Sequence, residues 1–375
     1  MAQVVYSSTQ CRSFKEKLKQ ISVNSGNPIV VVACALVFFT FTFCYLYFYQ
    51  AESLSYLQYT LSEGKTHYER TIGAIIITVV LQLVQYWTAR ITKLSKRGYA
   101  LTYFPSILGL TILTAVTESG YVSGMWLWLA PLLLAVFAGL AWIFKQLEAY
   151  EPGHEIPGLF SRTTWVNMLT MAGMFLFLTM LCNGDEVLHN RLKMEQLAYK
   201  GKYEEALKLG EKSLESDCSL EMLRAYNLAR VGKLGESFFH FPVTGGKEIL
   251  LPNGITTKTL MLNEKIIKAF SQKKGRADYL LMGYLLDRDL EGFACKIGKY
   301  YDTDSTAIPR HYREALVLYT HLKSNRVLTY HDDVLDADYE DMKALERKFL
   351  DRAQRATAVR DTYGNTYWYY YSKRD

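Results

Sequence analysis

Hydrophobic residues follow two different patterns along this chain. In the first half they form five long runs, 28–49, 71–89, 99–117, 125–144 and 164–181, none of which contains Asp, Glu, Lys, Arg or His. A helix of about 20 apolar residues rises about 30 Å, the thickness of a bilayer core. The pattern therefore predicts five membrane-spanning helices. From residue 185 onward, apolar positions instead recur at helical spacing among charged ones, as in KMEQLAYKGKYEEALKLGEKSLE (193–215). The chain is expected to be all-α, with a basic tail at 1–27, a transmembrane bundle at 28–182 and a soluble helical domain at 183–375.

Inside the runs the polar residues are few and uncharged. Ionisable groups at membrane depth mark transport pathways and intramembrane chemistry, and the runs have none. Gln82, Gln85 and Asn167 are expected to hydrogen-bond between helices. Ala135, Ala138 and Gly139, and likewise Ala172 and Gly173, offer small surfaces for close helix approach, and Pro105 and Pro131 are expected to kink their helices. Trp87, Trp126, Trp128, Trp142 and Trp165 fall near run ends, as aromatic belts do.

Charge enters as a topology signal. The tail carries Arg12, Lys15, Lys17 and Lys19; the second loop carries Arg90, Lys93, Lys96 and Arg97; the fourth carries Lys145 and Arg162. The opposite side has only Lys65, Arg70, Arg191, Lys193 and Lys200. This asymmetry puts the N-terminus in the cytoplasm and, with an odd number of crossings, the C-terminal domain outside, at a cell inner membrane. The first run exceeds a cleavable signal core and ends in aromatics, so it is read as a signal anchor. Phe14, Leu18 and Ile21 among the tail cations suit a short helix on anionic lipid. The net charge of +6 is dispersed, and no nucleic-acid partner is expected.

Within the soluble half, Gly201, Tyr203 and Ala206, with Ser213, stand at the spacing of a helix–turn–helix unit, and Leu228, Gly232, Leu234 and Ser237 repeat the arrangement 31 residues on. Residues 277–286 pair with 290–300, with Tyr284 in the aromatic position and Phe293 at the small one. Residues 309–322 and 339–360 read as further helices. The pattern resembles the tetratricopeptide repeat, whose period is about 34 residues and whose small residues let its two helices approach. Cys218 stands where that family has proline. The phrases LRAYNLARVGKLGESFFHFP (223–242) and YLLMGYLLDRDLEGF (279–293) also resemble uncharacterised Bacteroidota membrane proteins with a multi-span N-terminus and a helical-repeat tail. That likeness implies no catalytic residue.

Motifs for chemistry are weak. The string Asp302-Thr303-Asp304 resembles a phosphotransferase nucleophile but follows a helix rather than a strand, so a helix-terminating turn capped by Asp304 or Ser305 is expected. His331, Asp332, Asp333, Asp336 and Asp338 lack the glycine and spacing of a calcium loop. No two of the seven His residues stand at zinc-ligand spacing. Gly245-Gly246 reads as a turn. Cys218 and Cys295 are read as unpaired thiols, with pairing left open. No metal, cofactor or enzymatic activity is expected.

What remains is surface recognition. The resemblance implies a concave helix face, on which Arg191, Lys193, Tyr199, Arg224, Tyr226 and Asn227 are candidate contacts for a protein or peptide. The aromatic tail 363–371 is expected to pack on the last helices. The expected function is a non-catalytic membrane protein, in contact with lipid, that presents a helical-repeat domain as a scaffold. The alternatives are an accessory subunit of an envelope enzyme or transporter, and a purely structural anchor.

Overall fold

A computed structural model describes residues 28–148, 161–182, 184–211, 213–303 and 307–373. The tail cations and its expected lipid-binding helix, Cys11, Asp304 and Ser305 lie outside these residues. The described residues are helical apart from turns, loops and one isolated bridge between Val116 and Val122. They form two compact units, Met1–Gly184 and Asp185–Asp375.

The first unit contains α1 (Pro28–Cys44), which runs into a π turn (Tyr45–Tyr49), then α2 (Ala51–Leu61) and α3 (Arg70–Thr92). A 3₁₀ segment (Lys96–Tyr103) leads into α4 (Phe104–Thr114), followed by α5 (Trp126–Glu148) and α6 (Arg162–Leu181). Four helices are long and apolar enough to cross a membrane: Pro28–Tyr49, Arg70–Thr92, Trp126–Leu147 and Arg162–Leu181. The run at 99–117 is not among them, because it changes helix type partway. Pro105 has no N–H to donate back to Leu101, which instead accepts the Phe104 N–H in a tighter i−3 bond. Pro105 thus starts a helix instead of kinking one.

This broken segment is nonetheless the centre of the unit. Tyr99, Ala100, Tyr103, Ile107 and Leu110 are buried against α1, α3 and α6, with the Phe38 and Tyr103 rings 4.8 Å apart. The three amides act between helices. Asn167 accepts the Ala100 N–H at 2.7 Å and donates to the Lys96 carbonyl at 2.8 Å, satisfying backbone at the start of the 3₁₀ segment. Gln85 donates to Tyr99 and Thr102, and Gln82 to Gln85 and Tyr103. The small residues behave otherwise than expected. Ala135, Ala138, Gly139, Ala172 and Gly173 face outward, while Phe137, Ala141, Met171 and Met174 face the core.

In the second unit, α7 (Glu186–Tyr199) and α8 (Tyr203–Leu207), then α9 (Cys218–Arg230) and α10 (Leu234–Ser237), make two hairpins with short second arms. After α11 (Glu264–Gln272), α12 (Arg276–Leu286) and α13 (Leu290–Ile297) make a third. The chain ends with α14 (Arg310–Leu322), α15 (Asp333–Lys348), α16 (Arg352–Tyr363) and α17 (Tyr367–Ser372). The three hairpin turns share one construction. Gly201, Gly232 and Arg288 take φ of +75°, +71° and +56°. The next residue then donates back five positions, Lys202 to Leu197, Lys233 to Leu228 and Asp289 to Tyr284. This Schellman closure satisfies carbonyls that a helix end leaves over, and glycine adopts it without strain. The helix starts are equally regular, with Asp185, Asp217, Asn263, Asp289, Asp332, Asp351 and Thr366 accepting N–H groups of the first turn.

Candidate functional site

The six candidate contact residues do not form an exposed binding face. Arg191, Arg224, Tyr226 and Asn227 are buried, whereas Lys193 and Tyr199 are exposed. Arg191 pairs with Asp217 at 2.9 Å, holding α7 to the start of α9. Arg224 donates to Ser216 and to the Gly210 carbonyl and lies 4.8 Å from the Phe241 ring centre. Burial pulls its guanidinium down to about 10. Tyr226 meets Tyr203 edge-on, and Asn227 donates to the Leu223 carbonyl one turn back. The arginines serve the interior because the long loops after the short arms α8 and α10 cover them.

Among the repeat positions, Ala206 and Leu234 are fully buried, Tyr203, Ser237 and Tyr284 are half-buried, and Gly201 and Gly232 occupy the two left-handed turns. Gly235, beside Leu234, is the close-packing residue of the second hairpin. A Cβ there would lie 2.6 Å from the Tyr312 ring.

Three buried glutamates hold those loops and the tail. Glu195 on α7 accepts the N–H groups of Leu260, Met261 and Leu262 at 2.6–3.0 Å. Glu221 on α9 accepts those of Thr244 and Gly245 and the Thr244 hydroxyl. Burial, the larger influence, leaves both carboxyls above the usual range although the hydrogen bonds pull them down. Glu314 on α14 accepts the Tyr367 N–H at 2.7 Å, Arg310 at 2.8 Å and His311 at 2.9 Å. Burial pushes this carboxyl up too, but His311, the Tyr367 N–H and Arg310 together hold it below the usual range.

His311 is committed at both ring nitrogens. Nε2 accepts the Phe239 N–H at 3.2 Å, so Nδ1 carries the proton and donates it to Glu314. The pair therefore resembles a catalytic dyad in composition while offering no base to a substrate. The aromatic tail completes this core. Tyr367, Trp368 and Tyr370 are buried, and the Tyr367 and Tyr370 hydroxyls donate to the Leu285 and Leu286 carbonyls in the last turn of α12.

The stapled loops and tail leave an open cavity of about 610 Å³ within this unit. Its lining comes from the loop after α8, the 239–243 loop after α10, and the α16 to α17 region. Phe241, Pro242 and Tyr369 give it apolar walls, and Arg360, Lys373 and His240 bring cations or potential cations to it. Glu211 and Asp361 also line it, Asp361 lying 3.2 Å from its neighbour Arg360. Lys373 lies 4.7 Å from the Tyr369 ring centre. Burial, with Arg360 nearby, pulls the Lys373 ammonium below its usual range. Burial and the adjacent His311 and Arg310 do the same to His240.

Other sequence motifs have local roles. Asp332 caps α15 and pairs with Arg313 at 3.0 Å, and Asp336 pairs with His321 at 2.9 Å. Among the described residues, no group of three or more His, Cys, Asp or Glu is placed to hold a metal ion. Cys218 and Cys295 are both free thiols. Sequence reasoning missed the glutamates, although a signal exists: Glu195 continues the apolar stripe of Leu188 and Leu192, and Glu314 lies one turn from Leu318 on a buried face. It missed the cavity because its walls meet from segments more than 100 residues apart.

Residues 255–374, which include α11 to α17 and so one wall of the cavity, match a family of unknown function (DUF6057). Neither a curated protein nor a solved structure matches the chain.

Proposed function

We propose that this chain is a membrane-anchored, non-catalytic binding protein whose second unit takes up a short stretch of a protein or peptide partner in the α16–α17 cavity. The observation that carries this reading is the cavity itself. Its volume suits a few peptide residues, and its walls combine aromatic surface with a small number of polar groups, the usual make-up of a recognition site. The hairpins are degenerate tetratricopeptide-like units on this reading. Their shortened second arms close the concave face and leave recognition to the loops.

The anchor on this reading crosses the bilayer five times. The 3₁₀ segment and α4 together rise roughly 32 Å, enough for a crossing despite the change of helix type. Their far end meets the end of α1, where Tyr45 and Thr114 hydroxyls lie 3.5 Å apart. Five crossings with a cytoplasmic N-terminus put the second unit outside the inner membrane.

Selection of displayed random peptides on the intact, detergent-solubilised chain tests the binding function. Thr362→Trp fills the cavity from an exposed helix position. Peptides enriched on the parent should fail to bind this variant. Equal enrichment on both chains would place binding elsewhere and overturn the proposal.

A further inference from the structure

We infer that the cavity recognises a carboxylate-bearing peptide, with Arg360 and Lys373 as the groups that receive the carboxylate. This rests on the peptide-binding reading above and names its ligand chemistry. Two cations of one wall line the cavity together with Tyr369, Arg360 from the end of α16 and Lys373 from just beyond α17. Lys373 lies over that ring, and Arg360 lies close enough to act electrostatically on both the tyrosine and the lysine. Like charges brought together over an aromatic surface repel, and an anion between them relieves the repulsion while gaining charge-assisted hydrogen bonds. Glu221, buried nearby, attracts the Lys373 ammonium, but its oxygens are already occupied by Thr244 and Gly245. Asp361 offers Arg360 only an exposed partner.

The apolar half of the site argues for a peptide as the carrier. Phe241, Pro242 and Tyr369 form a partly buried aromatic and prolyl surface beside the cations. An acidic residue with an apolar neighbour fits both parts. Glu211 stands in the opposite wall and suits a backbone or side-chain N–H of the same ligand.

The probe is a pool of fluorescein-labelled hexapeptides with Glu fixed at a central position, compared with a pool carrying Gln there. Both are titrated onto the intact chain in a nonionic detergent and followed by fluorescence anisotropy. The Glu pool should bind about tenfold more tightly, as one charge-assisted hydrogen bond provides. Arg360→Gln and Lys373→Gln, both at exposed positions, should each bring the affinity of the Glu pool down to that of the Gln pool on the same variant. Equal binding of the two pools to the parent, or a preference that survives both substitutions, overturns the inference while peptide binding itself stands. If neither pool binds, the binding function fails with it. If phosphatidylglycerol vesicles displace the Glu pool and bind with the same dependence on Arg360 and Lys373, the ligand is a lipid headgroup and the peptide assignment is overturned.

Discussion

The two units bury polar side chains by different means. In the first unit the buried polar groups of the long apolar helices and the 96–114 segment are neutral, among them Gln85, Asn167, Thr78, Thr102, Thr111 and Thr114. Each of these six finds a hydroxyl, an amide or a nearby carbonyl. The buried Glu52 lies on the short α2 and pairs with Arg70. In the second unit the buried acceptors are the carboxylates of Glu195, Glu221 and Glu314, and they mostly hold backbone N–H groups of loops. The difference follows from what each backbone leaves unsatisfied. Long helices consume their own N–H groups, so backbone needs a side-chain partner chiefly where the 3₁₀ segment starts, at Asn167, and a charge among them would be costly in hydrocarbon. Shortened helices leave extended loop backbone, whose several N–H groups match the acceptor capacity of one carboxylate.

The comparison is most exposed at Glu195. Glu195→Ala removes the acceptor for three loop N–H groups and should cost the second unit about 4 kcal/mol, read by pulse proteolysis of the intact chain. A loss under about 1 kcal/mol would show that water or another group serves the 260–262 loop equally well. Gly235→Ala should be next, at about 2 kcal/mol, because the new methyl meets Tyr312 and Pro309. Gly232→Ala is the control. It meets open space and should cost only about 1 kcal/mol for its left-handed conformation.

In the first unit, Asn167→Ala should cost only about 1 kcal/mol in detergent unfolding, since hydrogen bonds between apolar helices of membrane length are individually modest. If it proves as damaging as Glu195→Ala, the contrast between the units collapses. The smallest effect concerns pH. The folded-state carboxyl of Glu314 lies below its ordinary value of 4.5, so its ionised form contributes stability above that pH and loses it as pH falls through the folded value. The stability difference between the parent and Glu314→Gln should therefore shrink from neutral pH to about pH 3. A difference that is constant over this range would mean that Glu314 acts by shape alone.

Four of the apolar runs were legible as membrane-length helices because length and the absence of charge are properties of contiguous residues. The third run was legible as apolar but not as a 3₁₀ segment leading into a short helix. That outcome depends on Pro105 locally and on Asn167, 67 residues from Ala100, to satisfy the freed backbone. The hairpin turns at Gly201 and Gly232 were readable from glycine placement. The third hairpin was legible as two paired helices but its turn residue was not, because Arg288 takes on the left-handed strain that glycine avoids and carries no composition signal. Arg224 and Tyr226 illustrate the limit for contact residues. Helical spacing put them on one face, but the loop ahead of α9 and the 241 loop cover that face and turn them inward.

Helix starts, the two glycine turns and the four helices of membrane length are local matters: capping aspartates, glycines and apolar runs act through neighbouring residues of the chain. Which faces stay open, and where a cavity forms, depended on tertiary structure. A buried carboxylate chooses its loop only when folding brings the two together, and the tail reaches Glu314 only after α14 and α17 have packed. The cavity at Arg360 and Lys373 is what those long-range bonds leave unfilled.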